Sequence, residues 1–209
     1  MNTMKLQDLT IKEFLEKTYG KEPVPGGGSV SALCGALSAA LAEMVVALTV
    51  GKKKYVDVEE ELKPLALQME ETRKSFLDFI DRDAEAYQNV FEAFKLPKST
   101  AEEIARRNKI IQEETLKAAL VPLSVAKKGV EIMPLILTIG NKGNRNAVTD
   151  ACVAMMCART AVLGAILNVR INLSCLDDRE MADNLSRECD NLSHKAVELE
   201  SLLLNNIDL

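Results

Sequence analysis

The sequence predicts an all-α fold, a single-domain bundle of long packed helices. Composition is the first reason. Of the 209 residues 47% are apolar and 27% charged, an ordinary soluble balance, yet only 4% are aromatic and Trp is absent, while Ala and Leu abound. That bias favours helices packed on helices over sheets. Periodicity is the second: every long stretch carries apolar residues at helical spacing, and no convincing strand alternation occurs. Third, no internal repeat or low-complexity linker divides the chain, so residues 1–209 read as one domain.

The elements follow in order. Leu9-Thr10-Ile11 opens a short amphipathic helix with Thr10 as its cap. Ser29 suits the cap of a second helix, which lasts to about Val50. Residues 57–94 place Leu62, Met69, Phe76, Ile80, Tyr87, Phe91 and Phe94 at helical spacing, and Pro64 either starts that helix or bends it. Residues 96–100 are a break, after which Thr100 with Glu102 and Glu103 starts a helix over 101–119. Pro122 allows a kink or a new start, and Pro134 disturbs the stretch 130–139. Residues 140–144 read as a loop, 147–173 as a small-residue apolar helix, and 178–205 as an amphipathic closing helix.

Charge and composition also exclude partners. A net charge of −5 argues against nucleic acid. The segment 29–50 has the length of a bilayer span, and Gly51-Lys52-Lys53-Lys54 follows it like a stop. Its Ala, Ser and Gly are only weakly apolar, however, and Glu43 would lie inside the bilayer. We read it as a buried or interface helix and expect no membrane partner. The five cysteines (Cys34, Cys152, Cys157, Cys175, Cys189) are odd in number, lack metal-ligand spacing and sit mostly in apolar helical stretches. They read as reduced core thiols, and with the mixed, polar residues 1–21 they point to a cytoplasmic protein.

A few stretches carry candidate chemistry. In "PGGGS", Gly26, Gly27 and Gly28 leave the amides of a helix start uncovered, which suits a ligand loop for anions or polar carbonyls and suits a tight structural turn equally. The spacing fits neither a P-loop nor a dinucleotide fingerprint. In "GKKKY", Lys52 and Lys53 either complement the helix dipole or meet an acidic ligand. In "IDRDAEAY", Asp83 and Tyr87 share a helical face with Phe91 and Phe94, so Asp83 is expected to face inward among apolar groups, while Glu85 points elsewhere. A buried carboxylate is a functional candidate; the alternative is a boundary carboxylate facing water. In 143–173, Asp150, Ala154, Cys157, Ala161, Gly164, Asn168 and Asn172 fall on one narrow face. Either the two asparagines bond between helices or they serve a site. Asp150 and Asn168 stand about 27 Å apart on a straight helix, so one chain alone cannot bring both to one reacting centre unless the helix breaks. An antiparallel two-fold dimer could join one end of each chain. His194, the only histidine, lies on the polar closing helix, which argues against a histidine triad and against a histidine-ligated metal.

Taken together, "PGGGSV", "TVGKKKY", "DRDAEAY", "FKLPKST", a "GN" followed by "TD", and "NVRINL" resemble, in order and over nearly the whole chain, the cyclodeaminase domain of formiminotransferase-cyclodeaminase and its stand-alone relatives, the methenyltetrahydrofolate cyclohydrolases. The resemblance implies an all-α homodimer with its site near the subunit interface. It implies a tetrahydrofolate derivative as substrate and no tightly bound cofactor or metal. Residue by residue, it implies Asp83, Asp150 and Asn168 as catalytic, with Gly26, Gly27, Gly28, Ser29, Lys52, Lys53, Tyr87, Asn144 and Asn172 as substrate-binding. Arg170 stands where relatives often carry an apolar residue. Two reactions fit: water addition opening methenyltetrahydrofolate to 10-formyltetrahydrofolate, toward which the "TVGKKKY" and "LPKST" wording leans, or ring closure of 5-formiminotetrahydrofolate with loss of ammonia. A folate-binding or helical interaction protein without catalysis is the reading of a different class.

Overall fold

The computed structural model describes residues 4–207. Six helices make the fold: α1 (Ile11–Thr18), α2 (Gly27–Ala47), α3 (Val56–Phe94), α4 (Ala101–Lys142), α5 (Val148–Leu173) and α6 (Arg179–Leu204). No strand occurs among the described residues. Two starts are fixed by reciprocal caps, Thr10 with Glu13 and Thr100 with Glu103, and Asp178 caps α6 through the Met181 amide.

Helices α2 to α5 close into a bundle, α2 on α3, α3 on α4, α4 on α5 and α5 on α2, with α6 against α4 and α5. The α2–α5 pair is antiparallel. Gly27 stands beside Asn168, Ser31 beside Gly164, and the Ser38 hydroxyl donates to the Ala154 carbonyl at 2.7 Å. Small residues permit this approach: a Cβ on Gly164 would lie 2.5 Å from Ser31 Oγ, and one on Gly35 would lie 2.5 Å from the Phe76 ring. Glu43, the charge inside α2, is answered by Arg73 of α3 with contacts of 2.7 and 3.2 Å. Arg170 also has an explanation, since it pairs with Asp190 of α6 at 2.6 Å. Cys175 is exposed, against the reading of all five thiols as core, and all five are free thiols.

Several boundaries differ from the sequence reading, and residues 140–142, expected in a loop, form the end of α4. Pro64 lies inside α3, and Pro122 and Pro134 lie inside one continuous α4 of 42 residues. Ser29 does not cap α2; Gly26 is the cap residue and has no side chain to offer.

Two helices, α2 and the segment 145–173, are long and apolar enough to cross a membrane, and about 50% of each such stretch is buried within the chain. Their outward faces carry large apolar side chains: Leu37, Met44 and Leu48 on α2, and Val153, Met156, Leu167 and Ile171 on α5. Ile11 and Leu15 of α1 and Tyr19 just after it are exposed as well, and Ile11 and Leu15 share a small apolar hollow with Leu33 of α2.

Candidate active site

The start of α2 meets the middle of α3 and the last turns of α5. Every helix begins with amides that have no helical acceptor. In α2 the first helical bond runs from Val30 N–H to Gly26 O at 3.0 Å, so the amides of residues 27–29 need partners elsewhere. Asp83 of α3 supplies one: its carboxylate accepts the Ser29 hydroxyl at 2.9 Å and also the Ser29 backbone N–H. The missing cap of α2 is thus a carboxylate from another helix.

Gly28 makes that possible. A Cβ there would lie 2.0 Å from Asp83 Oδ1 and 2.5 Å from its Cγ, so no side chain at 28 is compatible with the carboxylate in this place. Gly27 faces Asn168 less tightly, its absent Cβ falling 3.1 Å from Nδ2. Burial pushes the Asp83 carboxyl above the ordinary range, and the two Ser29 donors pull part of the way back.

These groups open on a cavity of about 320 Å³ lined by Gly26, Gly27, Gly28, Asp83, Tyr87, Asn168 and Asn172, together with Pro23, Val90, Ala118 and Ile171. That is the size of a small-molecule site. No cationic side chain lines it among the described residues. Tyr87 is 41% exposed at the rim.

The asparagines are oriented through their amide groups. Asn168 Nδ2 donates to Gly164 O at 2.9 Å, and Asn172 Nδ2 donates to Asn168 O at 2.9 Å and to Ala118 O at 3.3 Å. The last bond has a cause in α4. Proline has no backbone N–H, so Pro122 leaves the carbonyl four residues earlier, Ala118, without its helical donor. Asn172 of α5 fills that vacancy. Both side-chain carbonyls therefore remain the acceptors that a ligand can meet.

The other sequence candidates lie elsewhere. Lys52 and Lys53 are exposed beyond the far end of α2, after a left-handed turn at Gly51 (φ 79°). Asn144 is buried in the joint between α4 and α5. Its backbone N–H donates to Thr49 Oγ1 at 2.9 Å, its Nδ2 to Leu48 O at 2.9 Å, and its Oδ1 accepts the Asn146 N–H at 3.1 Å. Its side chain thus ties a loop and does not face the Asp83 cavity. Asp150 sits in the first turn of α5, at that same end and remote from Asn168 at the other. Within one chain, the structure brings together Asp83, Asn168, Asn172, Ser29, Tyr87 and the three glycines, and sets Asp150, Asn144, Lys52 and Lys53 apart.

The expected setting of Asp83 needs correcting too. Phe91 and Phe94 are about half exposed, with Lys95 and Arg107 over their rings, so they do not bury the carboxylate. The glycine start of α2 and the end of α5 do. Ala118 and Ile171 were missed as lining residues; the proline four positions after Ala118 was the available signal. Among the described residues no group of three His, Cys, Asp or Glu could hold a metal ion.

Fold and cavity define an all-helical protein with a cavity of small-molecule size beside one half-buried carboxylate. The chain belongs to the formiminotransferase-cyclodeaminase family, whose family model matches residues 10–191. It is 39% identical over 198 residues to the methenyltetrahydrofolate cyclohydrolase of Methylorubrum extorquens, covering 95% of both chains. It is 31% identical to the formimidoyltransferase-cyclodeaminase of Mus musculus, covering 97% of this chain and 38% of that longer one. The solved structure of formiminotetrahydrofolate cyclodeaminase from Thermotoga maritima superposes with a TM-score of 0.85 at 29% identity, covering 96% of each chain.

Proposed function

We propose that this chain is a methenyltetrahydrofolate cyclohydrolase that works through Asp83. The observation that carries the reading is its 39% identity, over 95% of both chains, to a protein of that name. The cavity supports it. It offers a carboxylate and, among the described residues, no cation, which suits a substrate that brings its own positive charge, as the methenyl cation does.

In this reading water adds to the carbon bridging N5 and N10, and ionised Asp83 takes its proton as the C–O bond forms. The tetrahedral carbon then releases N5: the C–N5 bond breaks, N5 gains a proton and the hydroxyl loses one. The product is 10-formyltetrahydrofolate, with one proton released overall. Asn168 and Asn172 offer acceptor oxygens to the polar pterin edge, and the amides of Gly27 and Gly28 offer donors. No tightly bound cofactor is needed.

The proposal extends to the assembly. The apolar outer face of α1, α2 and α5 is covered by a second copy of the chain. A two-fold axis perpendicular to α2 and α5 sets the Asp150, Asn144, Lys52 and Lys53 end of one chain against the Asp83 end of the other. Asp150 then orients the folate or the attacking water, and the lysines meet the acidic glutamate tail. The free thiols suit a reducing, cytoplasmic setting.

The second reading, cyclodeaminase, is favoured by the Thermotoga maritima relative. Absorbance at the methenyl band separates the two. Methenyltetrahydrofolate is expected to disappear faster than its spontaneous hydrolysis. Growth of the band from 5-formiminotetrahydrofolate, with ammonia released, would establish the cyclodeaminase instead. Silence in both, with folate bound, would leave a binding protein.

A further inference from the structure

The Ser29 hydroxyl has one proton and two acceptors within reach, Asp83 Oδ2 at 2.9 Å and the Ile80 carbonyl at 3.2 Å. Ser29 is fully buried. It can donate to one of the two at a time, and its oxygen can accept from a protonated carboxyl. The Ser29 backbone N–H, by contrast, can only donate, and so favours the ionised carboxylate alone.

We propose that Ser29 is a positioning residue whose hydroxyl reverses direction as Asp83 takes up and releases its proton. When Asp83 is ionised, Ser29 O–H donates to the carboxylate. When Asp83 carries the proton, its O–H donates to Ser29 Oγ, and Ser29 turns its own proton to the Ile80 carbonyl. Both states are hydrogen-bonded in one geometry, so the carboxyl need not move or leave a buried polar atom unpaired during a proton cycle. An amide of fixed polarity cannot do this. A role in holding substrate is not required for Ser29, which touches Asp83 and is not itself among the residues that line the cavity.

The surroundings leave the task to Ser29. On α2, Gly27 and Gly28 carry no side chain; α4 presents Ala118, and α5 presents Asn168 and Asn172. On α3, Tyr87 is the other titratable group lining the cavity. Asp81 accepts from Leu6 N–H and Gln7 Nε2, and Arg82 and Glu85 line a separate groove with Glu114 and Lys117 of α4.

The inference rests on Asp83 as the proton carrier, and the test has two readouts that fail separately. The Asp83 carboxyl carbon is titrated by NMR in the wild type and in Ser29→Ala, with Asp83→Asn to assign the signal. The expected result is a midpoint raised in Ser29→Ala by up to about one pH unit, because the charge-assisted bond lost from the ionised form is stronger than the neutral bond lost from the protonated form. An unchanged or lowered midpoint overturns the proposal, whatever the enzyme turns over. In the rate assay, Ser29→Ala is expected to lower kcat by roughly 10-fold or more and to move the acid limb to higher pH, with KM little changed. Adding Ser29→Ala to Asp83→Asn is expected to change the residual rate by less than about 2-fold. A loss there as large as in the wild-type background would overturn the proposal and make Ser29 a substrate or framework residue. Ser29→Cys, close in size with a weak donor, gives the same sign of shift if the alanine variant fails to fold.

Discussion

Asp83 is held where charge is disfavoured, and this gives its replacement two opposite effects. Its carboxyl is raised by burial, so the folded chain binds its proton more tightly than the unfolded chain does. The stability it contributes is therefore fully present below the unfolded-state range and is lost as pH rises through the raised value. Asp83→Asn removes that loss. The variant is expected to melt at or above the wild-type temperature near neutral pH, with the advantage vanishing in acid, while its rate falls on the order of 10²-fold or more. Calorimetry across pH with the absorbance assay checks both signs. Gly28→Ala separates place from presence. The three atoms nearest the new methyl all belong to the end of the Asp83 side chain, so the fold is expected to survive as the carboxylate swings off Ser29 and activity drops sharply. Wild-type activity in a folded Gly28→Ala would remove the close approach from the mechanism. Asp83 was legible as a candidate from its helix face, yet for the wrong neighbours. Phe91 and Phe94 share its side of α3, but what buries a residue on a long helix is whatever crosses there, and periodicity does not record a crossing.

At the scale of elements, the prolines limited the sequence reading. A proline inside a helix removes one hydrogen bond, which makes a break the default expectation. In α4 the chain continues because other contacts compensate: the bundle buries Pro122, and Asn172 donates to the carbonyl that Pro122 leaves vacant. A defect in α4 thus orients a side chain of α5. Pro122→Ala returns an N–H to Ala118 O and loosens the hold on Asn172. The expected outcome is a KM for folate raised several-fold with kcat nearly unchanged; a KM that does not move would show that Asn172 keeps its orientation without the proline. The caps at Thr10 and Thr100 were legible because a capping box is local in sequence. The cap of α2 was not, since its carboxylate comes from residue 83, and local reasoning assigned the task to Ser29.

For the whole molecule, helix order and the all-α class followed from composition and spacing, because a 3.6-residue period over long stretches leaves few alternatives, while the prolines left the helix number open. The site was legible as a set of motifs and not as a place. Along the antiparallel α2–α5 pair the candidates divide into two groups, one at each end, with an exposed apolar face between them. A single chain gives no means of joining the groups; the second copy proposed above would.

That division has a consequence in heredity as well as in structure. If each working centre draws Asp83 from one chain and Asp150 from the other, two inactive genes can rescue one another. Asp83→Asn and Asp150→Asn chains, each nearly inactive alone, would on co-expression or subunit exchange form mixed pairs in which one centre carries both defects and the other carries neither. Random mixing is expected to restore about a quarter of wild-type turnover. A mixture no more active than its parents would mean that each chain works alone.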